Sequence, residues 1–158
     1  MPGRFSALVE RCKDRVQQVA SGEIHLKVRI TQPEVVINAQ SLRLSPAEYL
    51  ILRFLAQHAL NNRPPIDGYA SAVDAIQKLA QVVYDEHDEN DFSDWRYKIL
   101  PPKNGLDDIN ERWIIKNVSS MRTKLRNAGP ITAALVPFLP ESQRFSLDLP
   151  AGNIRLES

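Results

Sequence analysis

A chain of 158 residues, 43% of them hydrophobic, is long enough for one domain with a sizeable core, or one domain and a short appendage. A single cysteine, Cys12, excludes an intrachain disulfide and a cysteine-rich zinc site, and suits a reducing cytoplasm, the expected location. The 20 Lys and Arg against 19 Asp and Glu leave a net charge of +1, which does not by itself mark a nucleic-acid binder, and no stretch approaches the roughly 20 apolar residues of a membrane span.

Residues 5–20 repeat Phe5, Leu8, Cys12, Val16 and Val19 at helical spacing among charged neighbours, which predicts an amphipathic helix stopping at Ser21-Gly22. The segment 1–22 is expected to act as a linker or a dimerisation element ahead of a domain spanning 23–158. From 24 to 30, Ile24, Leu26, Val28 and Ile30 alternate with His25, Lys27 and Arg29, the two-residue period of a half-buried strand. A turn containing Pro33 leads to a second strand through Val35 and Ile37. Asn38-Ala39-Gln40 turns the chain again toward Leu42 and Leu44, so a small antiparallel sheet is expected.

Ser45-Pro46-Ala47-Glu48 carries three helix-start signals: Ser as cap, Pro at the first helical position, and Glu three residues after the cap to close a capping box. The helix it opens runs through Tyr49, Leu52, Phe54, Leu55 and Ala59 and ends near Asn61-Asn62, before Pro64-Pro65. A second helix follows over 70–84, with Val73, Ile76, Leu79, Ala80 and Val83 on one side. Between 85 and 102 both periods fail. Asp85, Glu86, Asp88, Glu89, Asp91 and Asp94, with Trp95, Tyr97 and Pro101-Pro102, predict a long acidic loop tacked down by its aromatic residues.

The stretch 106–129, LDDINERWIIKNVSSMRTKLRNAG, combines two stripes at helical spacing. Ile114, Val118, Met121 and Leu125 share one face, and Arg112, Lys116, Ser119, Thr123 and Arg126 share the opposite one. Five basic residues and no acidic one lie between Arg112 and Arg126. A solvated helix face normally mixes signs, so a one-signed stripe with interleaved hydroxyls is a candidate for lying against phosphates. Gly129-Pro130 ends the helix. After an apolar segment over 131–140, Arg144, Ser146 and Asp148 alternate with Phe145, Leu147 and Leu149, which predicts a strand. Pro150-Ala151-Gly152-Asn153 is its turn and Ile154 to Leu156 its expected partner, a terminal hairpin.

Strands, a Ser-Pro-capped helix, a second helix, a basic helix and a hairpin, in that order, make an α+β winged helix-turn-helix. LSPAEYLILRFLAQH resembles the first helix of the DNA-binding domain of OmpR-type response regulators, which opens Leu-Thr-Pro-x-Glu-x-x-Leu-Leu. VSSMRTKLRNAG is similar to that family's recognition helix, hydrophobic-x-x-Leu-Arg-x-Lys-Leu, with Met121, Arg122, Lys124 and Leu125 in the matching places. The chain departs from that family in its long acidic insertion, in a turn reading PAGNI with no Lys or Arg, and in having an amphipathic helix where the family has a receiver domain. It also resembles the C-terminal winged-helix-like region of CRISPR-associated proteins that carry an N-terminal CARF domain. That resemblance implies a cytoplasmic role in antiviral defence. The sensing and ring-nuclease residues of those proteins belong to the CARF part, so none transfers to this chain.

Catalytic signatures are missing: there is no Gly-rich phosphate loop, Gly-x-Ser-x-Gly elbow or His-Glu-x-x-His. His25, His58 and His87 lie far apart in the sequence, and neither a cofactor nor a metal is expected. The expectation is a non-catalytic domain that binds double-stranded DNA through Arg112, Lys116, Ser119, Thr123 and Arg126. The alternative is an assembly module, a homodimer formed through the N-terminal helix, that binds no DNA.

Overall fold

The computed structural model describes residues 23–30, 33–86, 103–141 and 143–157. The expected helix over 5–20 with Cys12, and the acidic stretch from His87 onward with Trp95, Tyr97, Pro101 and Pro102, lie outside the described residues. Three short strands open the domain: β1 (Leu26–Arg29), β2 (Glu34–Ile37) and β3 (Gln40–Arg43). β1 and β2 pair antiparallel with Leu26 opposite Ile37, and β2 and β3 pair antiparallel with Val35 opposite Leu42. Asn38, at φ 53°, turns the chain between β2 and β3, a left-handed conformation that Asn tolerates better than most residues. The alternation of the sequence becomes burial. Leu26, Val28, Val35 and Ile37 are inside, while Lys27, Arg29, Glu34 and Val36 form the other face.

α1 (Pro46–Leu60) is the helix about which the fold is built. Its capping box is complete: the Ser45 hydroxyl accepts from the Glu48 amide at 3.2 Å, and the Glu48 carboxylate accepts from the Ser45 amide at 2.8 Å. Ten of its residues, Pro46 to Arg53 with Leu55 and Ala56, are buried, so nearly every side is covered, as expected of a helix that is apolar almost all round. The sheet covers it on one side, and α2 (Tyr69–Glu86) and α3 (Glu111–Asn127) pack on it from others. The Tyr49 hydroxyl donates to the Arg29 carbonyl and ties α1 to β1. α2 buries Ala72, Ile76, Leu79, Ala80 and Val83, and takes in Asp85 and Glu86, which the sequence reading placed in the loop.

A 3-10 turn (Lys103–Asp108) precedes α3, so the predicted helix over 106–129 is two pieces. Asn110 breaks it: its backbone is extended, and its side chain accepts from the Trp113 amide at 2.9 Å, a cap inside what periodicity alone joined into one run. α3 ends at Ala128. Gly129, at φ 133° and ψ 177°, then leads into the single turn of α4 (Pro130–Ala133), and a 3-10 turn, Val136–Phe138, follows.

The terminal hairpin is corrected. Residues 144–149 form no strand; Phe145 makes one antiparallel bridge with Ile66, in the connection between α1 and α2, and Arg144 bridges back to Glu141. β4 (Ile154–Glu157) turns instead to the first sheet and pairs parallel with β1, Leu26 opposite Ile154 and Val28 opposite Leu156. The sheet is therefore mixed, in the order β3-β2-β1-β4, rather than wholly antiparallel. The alternation of Phe145, Leu147 and Leu149 was real but recorded burial without pairing: all three side chains sink into the core, and Phe145 meets Tyr69 edge-on at 5.4 Å and Phe54 at 5.9 Å.

Candidate functional site

α3 presents the predicted stripes in the predicted sense. Ile114, Val118, Met121 and Leu125 are buried against α1 and α2, whereas Arg112, Lys116, Ser119, Thr123 and Arg126 are all exposed. At about 100° per residue the five exposed positions fall within an arc of about 80°, and at 1.5 Å per residue they run for about 21 Å along the helix. The Thr123 hydroxyl donates to the Ser119 carbonyl at 3.2 Å, which leaves its oxygen free to accept. Among the described residues no carboxylate pairs with Arg112, Lys116 or Arg126. Asp107, Asp108 and Glu111 stand exposed at the helix's N-terminal end, where they suit the helix dipole, so the positive charge is concentrated from Lys116 onward.

The other two basic residues of the helix do different work. Lys124 reaches the carboxylate of Glu48 on α1, Nζ to Oε1 2.6 Å, and the Ser120 hydroxyl donates to the second carboxylate oxygen at 2.6 Å. With the Ser45 amide, Glu48 thus accepts from a backbone group, a hydroxyl and an ammonium while only 1% exposed. Burial pushes its carboxyl upward, but the hydrogen bonds from Lys124, Ser120 and Ser45 and the Lys124 charge outweigh this and hold it below its ordinary value of 4.5. Arg122 donates through a guanidinium NH2 to the carbonyl of Pro140.

Sequence reasoning found Glu48 as half of a capping box and missed its second role. The signal was present: a carboxylate on a helix buried almost all round needs a cation, and the cation comes from 76 positions along the chain. α1 and α3 therefore meet through a charged pair as well as through apolar packing, Glu48 from one and Lys124 from the other.

Elsewhere the chemistry is sparse. An open groove of about 350 Å³ lies beside the C-terminal end of α1, lined by His58, Arg63, Arg144 and Asp148 among others; Arg144 is already held by Asp148 at 3.2 Å and by Ser146 at 3.2 Å. Among the described residues no group of three or more His, Cys, Asp or Glu could hold a metal ion, and no helix is long and apolar enough to cross a membrane. Comparison with protein-family models, with curated proteins and with solved structures found no match to this chain.

Proposed function

We propose that this chain is a non-catalytic nucleic-acid-binding domain of winged-helix type, which lays the exposed face of α3 against duplex DNA. The observation that carries the proposal is the stripe itself: three cations and two hydroxyls on one arc, with no described carboxylate paired to the cations. An α-helix of this kind fits a major groove about 12 Å wide, where long basic side chains reach phosphates, the Ser119 hydroxyl can donate to a phosphate oxygen or a base edge, and the Thr123 oxygen can accept from a base-edge amino group. The order α1, α2, α3, with the α1–α2 connection bridged at Ile66 to Phe145, supports a winged helix whose wing is reduced to a few residues. Such a domain would be the DNA-reading or regulatory part of a larger assembly, as the likeness to CRISPR-associated proteins implies.

The test is binding of the full chain to a short labelled duplex across a salt series. Three cations on phosphates give a log–log slope of about −2.7, a loss of roughly fortyfold between 50 and 200 mM salt. Lys116→Glu with Arg126→Glu abolishes binding while the circular dichroism spectrum is unchanged. Binding that is absent, or indifferent to salt, overturns the proposal, and a chain that binds no duplex but sediments as a dimer points to an assembly module.

A further inference from the structure

A helix seated only on an apolar stripe can roll about its own axis, because burial of apolar surface has no preferred direction. α3 is held against rolling on both flanks of its exposed face. Counting about 100° per residue from the centre of the stripe, Ser120 and Lys124 lie on one flank and Arg122 on the other. On the first flank both side chains end on the buried carboxylate of Glu48, each at 2.6 Å; on the second, Arg122 ends on the Pro140 carbonyl. Gln40, at the start of β3, adds a third hold by donating from Nε2 to the Ala128 carbonyl at 3.1 Å, at the helix's C-terminal end.

These holds come from three separate parts of the chain, and all are directional. Hydrogen bonds weaken steeply with misalignment, so together they define one rotation of the helix where the apolar stripe alone defines a range. The difference matters most for the short side chains. A roll of 20° moves a group about 6 Å from the axis by about 2 Å, which a Lys or Arg absorbs by changing rotamers and a Ser or Thr hydroxyl does not.

We infer that Glu48, with Ser120 and Lys124, and Arg122 with the Pro140 carbonyl, form a clamp that sets the direction in which α3 presents Ser119 and Thr123 to a nucleic-acid groove. Lys124 and Arg122 are then positioning residues, and of the five basic residues of α3 it is Arg112, Lys116 and Arg126 that meet phosphate. This division rests on the nucleic-acid reading of the same helix, and it assigns different work to basic residues that the sequence alone does not distinguish.

The experiment uses the full ¹⁵N-labelled chain and a duplex of random sequence. Glu48→Gln keeps the shape of the side chain and removes its charge. Expected are an unchanged circular dichroism spectrum, shifted amide signals for residues 115–126, an affinity about tenfold lower, the worth of one hydrogen bond to a charged group, and an unchanged salt slope. Lys124→Met behaves in the same way, and Lys124→Arg restores the affinity, whereas Lys116→Ala lowers the slope by about 0.9 and leaves the signals of 120–126 in place. A fall of the slope in Lys124→Met makes it a phosphate contact and overturns the clamp, as do α3 signals that do not move in Glu48→Gln. Should Glu48→Gln unfold the chain, Ser120→Ala is measured in its place against the same two outcomes. If the unaltered chain binds no duplex, the nucleic-acid reading fails by itself, and the α3 amide signals alone decide whether the clamp exists.

Discussion

Replacing Lys124 with Met separates a structural cation from exposed ones in a single comparison. Met keeps most of the apolar stem and removes the ammonium, so the carboxylate of Glu48, 1% exposed, loses its counter-charge and keeps only the Ser120 hydroxyl and the Ser45 amide. Breaking a fully buried ion pair costs about 3–5 kcal/mol, and an exposed one about 0–1 kcal/mol. The Lys124 side chain is 42% exposed, so water screens one partner of the pair. The expected cost lies between the two limits, at about 2 kcal/mol, which in a chain of this length lowers Tm by about 4–8 °C. Lys116→Met is the control. Lys116 is exposed and has no carboxylate partner among the described residues, so its replacement changes stability by less than about 0.5 kcal/mol. Urea titration at pH 7 measures both against the unaltered chain. Equal midpoints for the two variants would refute the account of Glu48 given above.

Three further outcomes follow from the geometry. Glu48 is held below its ordinary carboxylate value, so its contribution to stability is complete above pH 4.5 and disappears as the pH falls through its folded value; the Tm gap between the unaltered chain and Glu48→Gln should narrow between pH 5 and pH 3, and a gap that widens contradicts this. Phe145→Ala should cost about 3–5 kcal/mol in chemical denaturation, because the ring is fully buried against Tyr69 and Phe54; a cost under about 1 kcal/mol would mean that it lies on a solvated wing. Gly129→Ala should cost about 1–3 kcal/mol through its backbone alone, since φ 133° with ψ 177° is a conformation reserved for glycine while the nearest atom to an added Cβ is 3.9 Å away; a neutral result in thermal melts would show that the turn relaxes.

The legible parts of the fold were those fixed by local chemistry. The Ser45 capping box, the end of α1 at Asn61-Asn62, the β2–β3 turn and both stripes of α3 depend on residues within a few positions of each other, and each stands where the pattern placed it. The readings that changed depend on distant partners. Nothing near Ile154 says that it pairs with Leu26 rather than with the segment before it, because a strand of four residues has the same two-residue period whichever neighbour it finds. Alternation at 145–149 reads as pairing because core burial on one side of an extended chain leaves the same trace as a hairpin. Of the candidate site, the five exposed residues were visible in the period alone. The separate tasks of Lys124 and Arg122 were not, because each is set by an acceptor on another element, Glu48 or Pro140.

The position of β4 has a bearing on how the chain reaches its folded state. Its pairing with β1, reinforced by Asn153 donating to the Ile24 carbonyl across 129 positions, joins nearly opposite ends of the described domain. During synthesis β1, β2 and β3 emerge before β4 and can pair at once, but the edge of β1 that β4 covers stays open until β4 has left the ribosome. For that interval the nascent domain displays an unpaired row of amides and carbonyls, a template for other extended chains. Closing the sheet needs a contact across 129 positions, the kind that forms slowly. The arrival of β4 thus decides when the edge of β1 stops being a hazard.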